Sequence, residues 1–331
     1  MNLQERIELI SELGSFFRNP DSGWEEAKLE ASRKNPWFTF EFIDAAMTSI
    51  MEKFLQKDLL TGWAAHYCID DPIIPKNVGI VMAGNIPLVG FHDFLATFIS
   101  GHRQTVKMSA KDDVLLKFIF EKLAGIDPGF QKMVMESALL KGSDAYIATG
   151  SNNSARYFEQ YFSKYPHIIR RNKTSVAILT GNETASELEC LADDIHLYFG
   201  LGCRNVTKLF VPEKYDFVPL IRSFDKYAYF MDHQKYKNNY DYQLSISLLN
   251  RKYYMTNGNT LLIEDPGNFS PISVVHYEYD QPGTSSAILS ATDEDIQCRI
   301  GHGFIPFGQA QHPGLFTYAD GVDTMQFLLS L

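Results

Sequence analysis

From Val78 onward the chain alternates short apolar runs with amphipathic stretches, and this alternation constrains its fold more than any other feature. Val78–Ala83 reads as a strand, Gly84–Pro87 as a turn, and Leu88–Ser100 as a helix with Pro87 at its first turn. Gln104–Met108, Asp112–Ala124, Ala145–Ala148 and Asn152–Lys164 continue the series as strand, helix, strand, helix. Alternating strands and helices predict a mostly parallel sheet with right-handed crossovers. Ligands in such sheets bind beyond the carboxyl ends of the strands. The pattern resumes with a strand over Ser175–Leu179, a helix over Ala185–Phe199, a strand over Val206–Val211 and a helix over Tyr215–Tyr227. Tyr236–Tyr254 shows no clear period. Thr260–Ile263, Ser273–Tyr277 and Ser286–Leu289 read as strands, Asp293–Ile300 as a short helix, and Gly301–Gly314 as a loop.

Residues 1 to about 70 read as helices parted by turns at Asn19–Gly23 and Asn35-Pro36. Trp24, Trp37, Phe40, Phe42 and Ile43 are expected in core and interface there. A length of 331 residues accommodates two domains. The expectation is therefore an α/β protein with two α/β domains, mostly parallel sheets and a helical N-terminal segment. Residues 1–172 would form that segment and a Rossmann-like cofactor domain, 173–322 a catalytic domain, and 323–331 a tail.

A formal net charge of −10 argues against nonspecific nucleic-acid binding. No apolar run is long enough for a membrane span, and the acidic-polar N-terminus lacks a signal-peptide core. Cys68, Cys190, Cys203 and Cys298 lie far apart, with no C-x-x-C and no H-E-x-x-H in the chain. No metal and no disulfide framework is expected, and a cytoplasmic location fits best.

Four places carry candidate chemistry. Cys203 lies between the 185–199 helix and the 206–211 strand, in a turn loosened by Gly200 and Gly202. A thiol there can face a cavity, although a free cysteine is commonly a small buried hydrophobe. Gly150 and Ser151 open a helix after a strand, which supplies backbone N–H groups for an anion or only an ordinary N-cap. Lys107 ends a strand, where it can reach a ligand or merely solvent. Asn85 offers amide donors from a tight turn, as an oxyanion partner or a simple turn residue. No G-x-G-x-x-G fingerprint is present.

The order and spacing of these stretches resemble the aldehyde dehydrogenase superfamily. Gly84-Asn-Ile-Pro87 resembles its W-N-F-P turn, and Gly101-His-Arg-Gln-Thr-Val-Lys107-Met-Ser109 its G-N-x-V-V-x-K-P-S strand. Ala148-Thr-Gly-Ser151 is similar to F-T-G-S, and Phe199-Gly-Leu-Gly-Cys203 to the G-Q-x-C nucleophile loop. Phe269-Ser-Pro271 and Pro306-Phe-Gly308 resemble its F-G-P and P-F-G motifs, so the likeness runs from about Val78 to Asp320. Within the superfamily the chain most resembles the bacterial acyl-CoA reductases of luminescence-type fatty-acid reduction.

The resemblance implies Cys203 as nucleophile and Asn85 as oxyanion donor. Lys107, Ser109, Gly150, Ser151 and Phe269 would contact the cofactor. NADPH is expected as cofactor, with NADH as the alternative, because Ala110 stands where NAD-selective relatives carry a glutamate. Two family glutamates are missing. The general base would fall near Ile169, and Pro266 and Gly267 precede Asn268-Phe269 where the second belongs. A thioester that cannot be hydrolysed can still be reduced, which implies conversion of an acyl-CoA or acyl-protein thioester to an aldehyde. An acyl-phosphate or semialdehyde reductase, or an inactive binding subunit, is the alternative. The resemblance is compatible with a homo-oligomer or an acyl-transfer partner subunit. Arg204 either favours the Cys203 thiolate or points away. About 10 Å of helical rise separates His196 from Cys203, so His196 is expected to face solvent rather than serve as a base for the thiol.

Overall fold

The computed structural model describes residues 1–69, 73–279 and 294–331. These divide into two compact units, Met1–Asn172 with Pro313–Leu331, and Lys173–His312.

The first unit begins with helices α1 (Leu3–Phe17), α2 (Ser22–Lys34), α3 (Phe40–Lys53) and α4 (Lys57–His66). Sequence-local caps start the first three. Asn2 and Glu5 form a reciprocal capping box, and Asp21 and Thr39 accept backbone N–H groups from Gly23 and Phe42. Trp24, Phe42 and Ile43 are core, whereas Phe40 is 41% exposed.

Strands β1 (Asn77–Val81), β2 (Arg103–Lys107), β3 (Val134–Glu136), β4 (Ala145–Thr149) and β5 (His167–Arg170) follow, with α5 (Phe91–Ser100), α6 (Val114–Ile126) and α7 (Asn152–Phe162) between them. The strands pair in parallel in the order β3-β2-β1-β4-β5. The chain winds outward from β1 through β2 and β3, then returns to the other side of β1. The switch point lies between β1 and β4, the position where doubly wound sheets open a crevice. Every residue of α5 except His92 is buried, and Phe94, Phe98, Phe120 and Phe130 pack ring against ring with centroids 4.8 to 6.1 Å apart. The α5 helix starts at Phe91, not at Leu88, because Leu88 has φ +57° and Gly90 is the N-cap.

The second unit holds β6 (Thr174–Ile178), α8 (Ala185–His196), β7 (Val206–Val211), α9 (Phe217–Ser223), α10 (Gln234–Leu249), β8 (Met255–Thr256), β9 (Leu261–Glu264), β10 (Val274–Tyr279) and β11 (Ile296–Gly301). Its sheet order is β11-β6-β7-β10-β9-β8, parallel except for the β8–β9 pair.

Three expectations change here. Ile296–Ile300, expected within a helix, forms most of β11, because pairing with β6 buries Cys298 and Ile300. Tyr236–Tyr254 contains most of the sixteen-residue α10, whose polar sequence buries only Tyr236, Tyr240 and Ser247. The helix expected through Phe199 ends at His196, since Tyr198 and Phe199 both take φ +56°. The strand expected over Ser286–Leu289 lies outside the described residues.

Residues 323–331 are core to the first unit and not a tail. Helix α11 (Thr324–Leu329) buries Met325 and Leu328 completely. The Arg170 guanidinium donates to Asp93 Oδ2 at 2.5 Å and to Thr324 Oγ1 at 2.7 Å, tying β5, α5 and α11 together.

Candidate active site

In the first unit, three expected site stretches stand at the carboxyl ends of adjacent strands. The turn holding Asn85 follows β1, Lys107 ends β2, and Gly150-Ser151 follow β4. Asn85, Lys107 and Ser151 are exposed, and Ser109 and Gly150 half-buried. Ser151 caps α7 by accepting the Ser154 N–H at 3.3 Å. Gly150 must be glycine, because a Cβ there would lie 2.9 Å from Ser154 Cβ and 3.0 Å from Phe158. A Cβ on Gly84 would meet Ser109 Oγ at 2.5 Å, so the Asn85 turn lies directly against Ser109.

Asp112 holds this turn from below. Its Oδ2 accepts the Leu88 N–H at 2.7 Å, while Oδ1 is buried without a hydrogen-bond partner. Burial pushes the carboxyl well above the usual carboxylate range, and the Leu88 N–H offsets this only in part.

In the second unit, Cys203 is half-buried in the loop between α8 and β7. Two residues, Asn205 and Ser175, frame it. Asn205 Oδ1 accepts the Gly202 N–H at 2.8 Å, and its Nδ2 points at the carbonyls of Asp194, Ile195 and Leu197 at 2.9 to 3.2 Å. The Asn205 backbone N–H closes back onto the Gly202 carbonyl at 3.1 Å. Ser175 Oγ donates to the Cys203 carbonyl at 3.0 Å and also lies 3.0 Å from Cys298 Sγ. Parallel pairing of β6 with β7 puts Ser175 opposite Val206, which places this loop at the amino ends of the strands in this unit.

Arg204 lies close enough to Cys298 for its charge to act on that thiol. Burial pushes that thiol's pKa up, and the charge of Arg204 with the Ser175 hydroxyl partly offsets it. His196 is buried and not solvent-facing. Its ring stacks on Tyr227 at 4.7 Å, with Nδ1 on the Ala192 carbonyl and Nε2 on Thr260 Oγ1, each at 2.8 Å. Burial lowers its pKa to about 4, so the ring is neutral at pH 7.

Asp194 Oδ2 and Oδ1 accept the N–H groups of Gly308 and Ala310 at 2.6 and 3.0 Å. The P-F-G stretch is thereby fastened to the helix that precedes Cys203. Phe269 is 42% exposed, in the loop between β9 and β10. Thr207 Oγ1 and Lys208 Nζ donate to the carbonyls of Asn268 and Pro266 at 2.6 and 2.7 Å, fixing that loop to β7.

The sequence pointed to Cys203, Asn85 and the strand-end residues but missed Asn205, Ser175, Asp112 and Asp194. Asn205 was the findable one. A buried-type amide two residues after a cysteine, in a glycine-bounded loop, is a candidate loop clamp. None of the four cysteines is in a disulfide. Among the described residues, no three His, Cys, Asp or Glu side chains converge as metal ligands, and no helix is long and apolar enough to cross a membrane.

Residues 73–219 match the family model of acyl-CoA reductase (LuxC). No curated protein matches the sequence. Among solved structures, aldehyde dehydrogenase 21 from Physcomitrella patens, in complex with the reaction product succinate, superposes with TM-score 0.67 at 11% identity, covering 91% of this chain and 74% of that one. KauB from Pseudomonas aeruginosa gives TM-score 0.65 at 13% identity over 91% and 72% of the two chains. The NAD⁺ complex of a Mycobacterium tuberculosis aldehyde dehydrogenase gives 0.64 at 12% identity over 91% and 73%. The matched span takes in Asn85, Lys107, Ser109, Gly150, Ser151 and Cys203. The protein thus has the aldehyde dehydrogenase fold, with the sequence pattern of the acyl-CoA reductase (LuxC) family across residues 73–219.

Proposed function

We propose that the protein reduces an acyl thioester, acyl-CoA in the first instance, to an aldehyde with a reduced nicotinamide cofactor. The observation that carries this reading is the half-buried Cys203, held in a clamped loop within the span similar to acyl-CoA reductases. The Cys203 thiolate attacks the acyl carbon, and the C–S bond to the coenzyme breaks, releasing a thiolate that takes up a proton. Asn85 and the Cys203 backbone N–H are the oxyanion donors proposed from the family resemblance, and such a donor contributes about 3 kcal/mol to the barrier. The family resemblance puts the hydrolytic glutamate's place near Ile169, and without that base the acyl-cysteine is expected to persist.

Donor chemistry in the first unit fits a dinucleotide. An exposed lysine, the Ser109 and Ser151 hydroxyls and the N-terminus of an eleven-residue helix surround the switch point. When bound, a reduced nicotinamide would supply a hydride, and with a proton from solvent the acyl group on Cys203 would leave as an aldehyde, regenerating the thiol. Support for a nicotinamide comes from the NAD⁺ bound by the Mycobacterium tuberculosis relative in fold. Phe269 is a further cofactor contact that the family resemblance implies.

Intact-mass measurement after incubation with acyl-CoA tests the proposal. One acyl adduct, mapped to Cys203 and discharged as aldehyde on adding NADPH, is expected. Cys203→Ala abolishes both, while alanine at Cys68, Cys190 or Cys298 spares them. An adduct from acyl-phosphate alone transfers the reading to that substrate class, and no adduct with either leaves a binding subunit.

A further inference from the structure

We propose that Asn205 is the positioning residue of the Cys203 loop, acting with Ser175 to hold the thiol in its attacking position. The inference rests on Cys203 being the nucleophile. Asn205 is completely buried, and its side-chain hydrogen bonds tie Gly202 in the loop to carbonyls at the end of α8. The carbonyl oxygen takes the Gly202 N–H, and the amide hydrogens are shared among three carbonyls left open where α8 ends.

That ending is abrupt. Tyr198 and Phe199 both occupy the left-handed region, an unfavourable conformation for aromatic side chains. The structure keeps it because Asn205 satisfies the carbonyls it exposes. Cys203 lies between Gly202 and Asn205, which are tied to each other through the Asn205 Oδ1 and the Asn205 backbone N–H, and Ser175 takes the Cys203 carbonyl from the neighbouring strand. Both flanks of the nucleophile are therefore fixed, while the thiol stays half-exposed. No other residue type does this job. Aspartate has the shape of asparagine but no N–H donors, and at neutral pH it sets a carboxylate against three carbonyl oxygens. Glutamine has the chemistry, with one methylene too many for a fully buried site.

The test follows Cys203 alkylation by iodoacetamide in the full chain, quantified by peptide mass spectrometry across pH, beside acyl-CoA reduction. Asn205→Ala should fold, slow Cys203 alkylation at least tenfold and lower kcat about 10²-fold, with KM changed by no more than about threefold. Asn205→Asp should be as impaired at pH 8, and its alkylation rate relative to the wild type at the same pH should rise as the pH falls and protonation restores one donor. Ser175→Ala should give a smaller loss of the same kind. A folded Asn205→Ala with the wild-type rate and pH profile overturns the proposal. So does failure of both Asn205 variants to fold, since the residue would then serve folding alone. If wild-type Cys203 is never acylated yet Asn205→Ala slows its alkylation, the positioning role stands and the reductase reading falls. If the wild type is acylated and alkylation of the variant is unchanged, the reductase reading stands and the positioning role falls.

Discussion

Asp112 Oδ2 accepts the Leu88 N–H at 2.7 Å, so one buried carboxyl supports the left-handed residue that closes the Asn85 turn. Its pKa is raised by burial, and this fixes the sign of its contribution. The folded state holds the proton more tightly than the unfolded chain does. Stability from this group is full below the unfolded value near 3.8 and is lost as pH rises through the higher folded value. Asp112→Asn keeps an acceptor for Leu88 and does not titrate, so in urea unfolding it should gain on the wild type as pH rises above 3.8. Asp112→Ala strands the Leu88 N–H and should lose about 1–3 kcal/mol. Equal losses in the two variants would show that the hydrogen bond is not what matters.

Asp194 gives a second pH signature with a firmer window. Burial raises its pKa from 3.8 to about 7, against the opposing pull of the Gly308 and Ala310 N–H groups. Between those values the folded state binds the extra proton, so the stabilisation fades as pH climbs from 4 to 7, by at most about 1.4 kcal/mol per pH unit. Asp194→Asn removes the titration. The stability gap between wild type and variant, from urea midpoints at pH 5, 6, 7 and 8, should narrow or invert with rising pH. Parallel curves would place the titration elsewhere.

The buried pair of Arg170 and Asp93 should behave as a unit. Removing one partner leaves the other charge in the core, and such losses run to about 3–5 kcal/mol. In a double-mutant cycle, Arg170→Met and Asp93→Asn should each destabilise strongly, and together by clearly less than their sum. Additive effects would show that the two side chains contribute separately, with Thr324 as the partner that counts for Arg170.

Much of this architecture was legible because local pattern and tertiary outcome agree. In the first unit, apolar runs alternate with amphipathic ones, and glycines and prolines mark the strand ends, so β1, β2, β4 and their helices are written in the chain. Elsewhere the pattern misleads. Asp293-Glu-Asp ahead of Ile296 looks like a helix start, yet β6 recruits the following residues as a strand. The α10 sequence hides its period because its buried face is so narrow. The three residues of β3 are too few to show any period.

At the site, the division is between residues that announce their chemistry and residues that act through distant backbone. Cys203 stood out because glycines isolate a thiol between a helix and a strand. Ser175 meets the Cys203 carbonyl from 28 residues away, and nothing near Ser175 distinguishes it from any strand serine. Asp194 could not be read either, since its partners at Gly308 and Ala310 are more than a hundred residues downstream. The burial of His196 is not legible, because distance along the helix from Cys203 says nothing about which face is buried.

The last prediction concerns the cofactor. Lys107 ends β2 with an exposed side chain, Ser109 lies two residues on, and Ala110 brings no negative charge to the strand end. Lys111 follows on the same exposed stretch. A 2′-phosphate carries close to two negative charges and needs cationic and hydroxyl donors, which these residues supply with no carboxylate at position 110. NADPH is therefore expected to bind more tightly than NADH, by about 1–2 kcal/mol for a partly solvated lysine contact. Fluorescence titration of both cofactors at fixed ionic strength measures the difference, and the preference for NADPH should shrink as salt is raised. Lys107→Ala should weaken NADPH more than NADH, whereas Ala110→Glu should reverse the order by placing a carboxylate against the phosphate. A tenfold preference for NADH in the wild type would mean that the strand-end lysine does not meet the phosphate at all.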